Sequence, residues 1–350
     1  MHQQTTDSVQ WVEDEIQTLI KVWITVLTSL TFSYFIVKKL PPGIPRLLTL
    51  LPIISLFTYL PLNLTSIHFI GITSFFITWL CNFKLLLVAF NGGPLSSSSL
   101  SFPHFLAIAC FPINIKQSPS PQHQNTLKSP LNYAIKALLL AFLIKIYDYK
   151  QFLHKDLILS LYCCHLYLGL EIGLAMSVIP IRVVFGFEIE PQFDDPYLTT
   201  SLQDFWGKRW NLVVTSILRP TVYLPIRCIS TPILGRYWAQ LVGLFMTFVV
   251  SGLMHELVYF YLSRVKPTWE VTWFFLLHGV CTGLEVVVKK MVGNRWRLHP
   301  VISGILTLGF VTRTGFWLFF KQVVRCGIDV RGNEEYGAAM EFLKSLVHSP

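Results

Sequence analysis

Eight long apolar runs dominate the chain, over residues 18–37, 44–62, 66–88, 131–147, 157–180, 238–262, 269–288 and 301–324. A hydrocarbon core of about 30 Å takes about 20 apolar residues in helical form, and inside it every backbone polar group needs an internal partner. Runs of this length predict transmembrane helices. Two weaker apolar stretches, 100–113 and 205–229, are interrupted by Pro or Arg and predict re-entrant or interfacial helices, which protein must cover. The expected fold is therefore all-α: a polytopic membrane protein of about eight transmembrane helices plus re-entrant or interfacial pieces, in one domain over 1–350. Composition agrees. Charged residues make up 13 %, against about a quarter in soluble domains. So small a supply cannot dress a water-facing surface of this size, which excludes a soluble enzyme, a disordered module and a fibrous protein.

The remaining charge is lopsided, with 28 Lys and Arg against 19 Asp and Glu, net +9. Basic residues beside apolar spans suit membrane lipids, at about 1 kcal/mol each near an anionic leaflet, rather than nucleic acid. A phosphate-rich cosubstrate profits from the same field. The first fifteen residues carry Asp7, Glu13, Asp14 and Glu15, the wrong sign for a signal-peptide n-region. The first run ends at Lys38 and Lys39, followed by Pro41, Pro42 and Arg46, so the positive-inside rule places that loop in the cytosol and the N-terminus in the lumen. Counting forward places Lys84, Lys116, Lys128, the segment from Arg182 to Arg236, Lys289, Lys290, Arg295 and Arg297 on the cytosolic side. Lys150, Lys155, Arg264 and Lys266 fall in the lumen, against the rule. Residues 1–17 read as a polar N-terminal tail, 114–130 as a flexible loop rich in Ser, Pro, Gln and Asn, and 329–350 as a short C-terminal tail. The seven cysteines form no C-x-x-C pair and read as small structural hydrophobes.

The run LVGLFMTFVVSGLMHELVYFY at 241–261 holds His255 and Glu256 in its middle. An ionisable group in a membrane span marks a functional site by default. Successive helical residues point about 100° apart, so these two cannot share one face. Two readings of His255 stay open here: inter-helix hydrogen-bonding glue, or a desolvated neutral imidazole able to take a proton from an alcohol. Ser251 and Tyr259 share its face. In SLQDFWGKRWN at 201–211, Trp206 and Trp210 flank Lys208 and Arg209, a mixture suited to a membrane anchor or to binding at the interface. Asn211 follows, able to donate and accept. Glu171 and Glu285 are further embedded acids, read as structurally paired. His255-Glu256 lacks the second histidine of H-E-x-x-H, His278 and Cys281 are too few ligands for a metal, and no G-x-S-x-G elbow, P-loop or G-x-G-x-x-G is present. His2 and Asp7 have the H-x4-D spacing by chance, in a polar terminus.

SLQDFWGKRWN and SGLMHEL, with WLCNFKLLLVAFNGGPLS, YLGLEIGLAMS, PQFDDPYLTTSLQDFWGKRWN and PTWEVTWFFLLHGVCTGLEVVVK, resemble the plant wax synthase family of membrane-bound O-acyltransferases over nearly the whole chain. The resemblance implies an endoplasmic-reticulum, multi-pass enzyme with an internal acyl tunnel. It implies transfer of a fatty acyl group from acyl-CoA, a cosubstrate, to a long-chain fatty alcohol, with no cofactor or metal. Sterols and terpenoid alcohols are alternative acceptors. The family's catalytic histidine falls on His255 and its paired asparagine on Asn211. Lys208 and Arg209, with Trp206 and Trp210, become candidates for the CoA side. The competing class is a non-catalytic membrane protein that binds or transports lipid.

Overall fold

The computed structural model describes residues 2–97, 99–113, 130–187, 189–293 and 298–348. The expected loop 114–130, with Lys116 and Lys128, lies outside them up to residue 129, as do Arg295 and Arg297. Among the described residues the chain is helical, with no strand. Its helices are α1 His2–Lys39, α2 Ile44–Tyr59, α3 Ile67–Ala89, α4 Phe102–Cys110, α5 Pro130–Ile146, α6 Lys155–Phe185, α7 Leu212–Ser263, α8 Glu270–Val292, α9 Pro300–Arg325 and α10 Ile328–His348. Eight of them are long and apolar enough to cross a membrane, all but α4 and α10. The protein is a multi-pass, all-α membrane protein.

Packing divides the chain into two units. The first comprises Met1–Cys110, Met254–Thr268 and Gln322–Pro350; the second comprises Phe111–Leu253 and Trp269–Lys321.

In the first unit, α1 runs for 38 residues, about 57 Å at 1.5 Å per residue, nearly twice the hydrocarbon thickness. The segment expected as an N-terminal tail is thus its first turns. They pack against α10, which replaces the expected C-terminal tail. Glu15 and Glu335 meet at the start of α3. Glu335 accepts from Ser66 Oγ (2.8 Å) and the backbone N–H groups of Ile67 (2.6 Å) and His68 (3.2 Å), and lies 2.7 Å from His68 Nδ1. Burial pushes its carboxyl up, but these hydrogen bonds outweigh burial and hold it below the usual carboxylate range. Glu15 accepts from the Thr65 N–H at 3.0 Å, the Thr65 hydroxyl and the Ser66 N–H at 3.2 Å.

Three basic residues counted at the sequence level as loop charges are caps. Lys84 is fully buried and donates to Ile108 O in the last turn of α4 (2.6 Å). Arg46 donates to Leu40 O and Val88 O, at the ends of α1 and α3. Arg264 donates to the carbonyls of Pro61, Leu62 and Leu64 (3.3, 3.2 and 2.8 Å). Each adds a charged donor to carbonyls at a helix end or turn, where the regular intrahelical ladder of donors stops. That duty accounts for Arg264 in a loop where the positive-inside rule disfavours it. The weaker stretch 100–113 holds α4, whose Phe105, Ala107, Ile108, Ala109 and Cys110 are buried, giving the covering that broken backbone in a membrane needs.

In the second unit, α5 and α6 are joined by Lys136 and Glu171, both buried, with Nζ 2.6 Å from each carboxylate oxygen. The weaker stretch 205–229 is mostly helix. It breaks at Trp210 and Asn211, then continues as α7, which bends at Gly235, where φ is +76° and the backbone leaves the helical region. Beyond the bend, α7 meets α8 closely: a methyl on Gly252 would lie 3.2 Å from the Thr272 backbone, and one on Gly279 would lie 3.0 Å from Phe248. Small residues at such crossings let membrane helices approach.

Candidate active site

The second unit gathers Trp206, Lys208, Arg209, Trp210 and Asn211 in one turn of chain. Ser201 starts the turn by accepting the Asp204 N–H (3.1 Å), and residues Phe205–Arg209 form a wide π turn closed by Trp210 N–H donating to Phe205 O (2.9 Å). Arg209 pairs with Asp204 (2.7 Å) and donates to Asp194 O (3.1 Å), so its charge is spent locally. Trp210 stacks on Phe205, with centroids 5.4 Å apart, and stands edge-on to Phe193.

Trp206 packs among Phe248, Phe274 and Phe275 and donates through Nε1 to His278 Nδ1 (3.0 Å). Since that nitrogen accepts, the proton of a neutral His278 sits on Nε2, 2.9 Å from Thr314 Oγ1, which in turn donates to Phe310 O (2.7 Å). Both ring nitrogens of His278 are thereby committed to structure. Glu285 accepts the Leu202 N–H (2.8 Å) and pairs with Lys289 (2.6 Å), which holds Ser201 Oγ (3.0 Å). Of the four residues considered for the CoA side, Lys208 alone is exposed and has no partner among the described residues.

Asn211 is built into this turn in a way its sequence position does not reveal. Its backbone is left-handed (φ 42°, ψ 66°), a conformation Asn tolerates better than most residues. It caps the helix that begins at Leu212: Oδ1 accepts the Val214 N–H at 3.4 Å. The next residue's N–H donates to Gln192 O (2.8 Å), tying the turn to the loop before it. With Oδ1 oriented by the cap, Nδ2 is left as a donor with no partner among the described residues. Gln192 Nε2, buried beside this turn, is a second donor without a partner among the described residues.

His255 belongs to the first unit, eight residues before the end of α7 at Ser263, about 12 Å by helical rise. Its neighbour Glu256 is 3 % exposed, while His255 is only half-buried. The pair diverges as consecutive helical residues must. Tyr259, one turn on, is buried, as is Ser251 one turn back. Against the imidazole stands Trp79 of α3, edge to face, with centroids 5.0 Å apart and planes at 85°. Trp79 opens the segment WLCNFKLLLVAFNGGPLS and Gln192 lies in PQFDDPYLTTSLQDFWGKRWN, but the resemblance gave neither residue a role of its own.

Among the described residues no group of three or more His, Cys, Asp or Glu is placed to hold a metal ion.

Comparison with known proteins bears on the same segments. The model of the Membrane bound O-acyl transferase family matches residues 189–277, which include Asn211 and His255. The acyl-CoA–sterol O-acyltransferase 1 of Arabidopsis thaliana is 47 % identical over 329 residues, covering 92 % of this chain and 95 % of the relative. The long-chain-alcohol O-fatty-acyltransferase of Simmondsia chinensis is 45 % identical over 333 residues, covering 93 % and 95 %. A probable long-chain-alcohol O-fatty-acyltransferase 3 of Arabidopsis thaliana is 43 % identical over 336 residues, covering 95 % and 97 %. Identity at this level, end to end, extends the motif resemblance to the whole fold, and the chain belongs to the wax synthase family of membrane-bound O-acyltransferases.

Proposed function

We propose that the protein transfers a fatty acyl group from acyl-CoA to the hydroxyl of a long-chain fatty alcohol, making a wax ester at the endoplasmic-reticulum membrane. The observation that carries this reading is full-length similarity to long-chain-alcohol O-fatty-acyltransferases, together with an ionisable His255 inside a membrane helix. His255 is the general base. It takes the hydroxyl proton as the alcohol oxygen attacks the thioester carbon; the C–S bond breaks, and the proton passes to the departing sulfur. A thiol with a pKa of about 8.5 leaves readily, so neither ATP nor a metal is required. Asn211 assists through Nδ2, donating to the thioester oxygen as negative charge develops there. Lys208 meets the CoA phosphates from the cytosolic side. The acyl chain lies in a tunnel among the apolar spans.

A sterol is the second reading, favoured by the 47 % identity to the sterol O-acyltransferase of Arabidopsis thaliana. The test is an assay of microsomes with labelled palmitoyl-CoA and equimolar hexadecanol, a sterol and a terpenoid alcohol. The proposal expects labelled hexadecyl palmitate as the main product. Steryl ester in its place selects the second reading. No ester with any acceptor, from correctly folded protein, favours a lipid binder or transporter.

A further inference from the structure

Trp79 occupies an unusual stretch of α3. Over Ser74–Cys81 the helix widens to π geometry, although SFFITWLC contains no Pro or Gly to force it. Such bulges occur frequently at functional sites. The Trp79 side chain is 3 % exposed, and its Nε1–H has no hydrogen-bond partner among the described residues. A buried indole N–H normally finds one, and a buried donor without a partner in a native fold requires a reason. Thr73 Oγ1 and Asn82 Oδ1 of the same helix likewise have no hydrogen-bond partner among the described residues. One segment therefore holds donor and acceptors that do not satisfy one another, among buried Phe76, Ile77 and Leu80. A ligand suited to such a place is apolar around a single polar group. The ring's edge-to-face contact with His255 puts that group beside the imidazole.

We infer that Trp79 Nε1–H donates to the hydroxyl oxygen of the lipophilic alcohol and holds that oxygen at His255. This rests on His255 being the general base. A hydroxyl carries one hydrogen and two lone pairs. The hydrogen points to His255, one lone pair accepts from Trp79, and the other attacks the thioester carbon. Trp79 thus sets which lone pair faces the acyl group, and its hydrogen bond belongs to the alcohol alone.

The test compares Trp79→Phe, which keeps an aromatic ring on His255 but removes the donor, with Trp79→Leu, which removes both. Initial rates are measured in microsomes against hexadecanol at saturating palmitoyl-CoA, and the reverse, with gel-filtration elution as the check on folding. Trp79→Phe lowers kcat/KM for the alcohol by about tenfold, the size of one net hydrogen bond, and leaves the apparent KM for acyl-CoA unchanged. Trp79→Leu lowers it further. Wild-type kcat/KM for the alcohol in Trp79→Phe, or an equal loss toward both substrates, overturns the inference. If Trp79→Phe misfolds, 3-benzothienylalanine at position 79 replaces N–H by sulfur at nearly constant shape and gives the same readout. His255→Ala run alongside separates the two claims. Activity in His255→Ala removes the base on which the inference rests, whereas an inactive His255→Ala with fully active Trp79→Phe removes the inference alone.

Discussion

Asn211 combines a structural duty with a chemical one, and three substitutions pull them apart. The structural duty has two components: a left-handed backbone at φ 42° and a cap on the Val214 N–H. Asn211→Ala forfeits both. Loss of the cap costs about 0.5–2 kcal/mol; Asn and Ala carry the same β-carbon, so the only other loss is the local hydrogen bonding by which Asn tolerates this conformation, and about 0.5–2 kcal/mol of stability goes with the substitution. Asn211→Gly relieves the backbone and loses only a few tenths of a kcal/mol from the cap. Asn211→Asp keeps the cap, tolerates the conformation and adds negative charge at a helix N-terminus, so its stability stays near that of the wild type. The chemical duty resides in Nδ2, which both Asp and Gly lack. Losing an oxyanion donor lowers kcat about 10²–10³-fold. Asn211→Asp is therefore expected to elute and melt like the wild type in detergent while losing about two to three orders of magnitude in acyl transfer. Full activity in Asn211→Asp, with Asn211→Ala failing through instability, would reduce Asn211 to a helix cap.

Three further outcomes follow from the packing. Lys136→Met removes the cation that faces the buried Glu171 carboxylate in the second unit and lowers stability by about 3–5 kcal/mol, while Lys136→Met/Glu171→Leu recovers most of it; thermal unfolding in detergent measures both, and a neutral single variant contradicts the pairing. Glu335, held below its usual range by Ser66, Ile67 and His68, contributes stability that is present above about pH 4.3 and lost as pH falls through its lower folded-state value. Glu335→Gln is less stable than the wild type by about 1.5–3 kcal/mol at neutral pH; the gap narrows on acidification, and a gap constant down to pH 3 refutes the assignment. Lys208→Ala raises the apparent KM for acyl-CoA by about tenfold, or roughly 1.4 kcal/mol, without moving that for the alcohol. The effect fades with added salt, and an unchanged KM at low ionic strength removes Lys208 from CoA binding.

The spans were legible in the sequence because hydrocarbon imposes one rule on every residue of a run, and eight apolar helices stand where apolar runs do. Segments whose order depends on a partner were not. Residues 1–17 and 329–350 read as polar tails since neither sustains a helix alone; together, as the start of α1 and as α10, they bury Val12, Glu15 and Ile328. Charge counting treated Lys84, Arg46 and Arg264 as topology signals, when each caps carbonyls that only the folded chain brings within reach. In the candidate site, the motif resemblance singled out His255 and Asn211. The left-handed turn at Asn211, the π turn beneath Trp79 and the indole beside the imidazole leave no periodicity to read. Trp206 and Arg209 sat in the right window for reasons of packing: one belongs to the His278 cage and the other to Asp204.

The most direct test of the account is the initial rate of labelled wax-ester formation by microsomes carrying His255→Ala, at matched protein level and with gel-filtration elution identical to wild type. General-base help is worth about 10²–10⁴-fold, so the account predicts a loss of at least two orders of magnitude with folding intact. Ester formation at the wild-type rate by folded His255→Ala would contradict it.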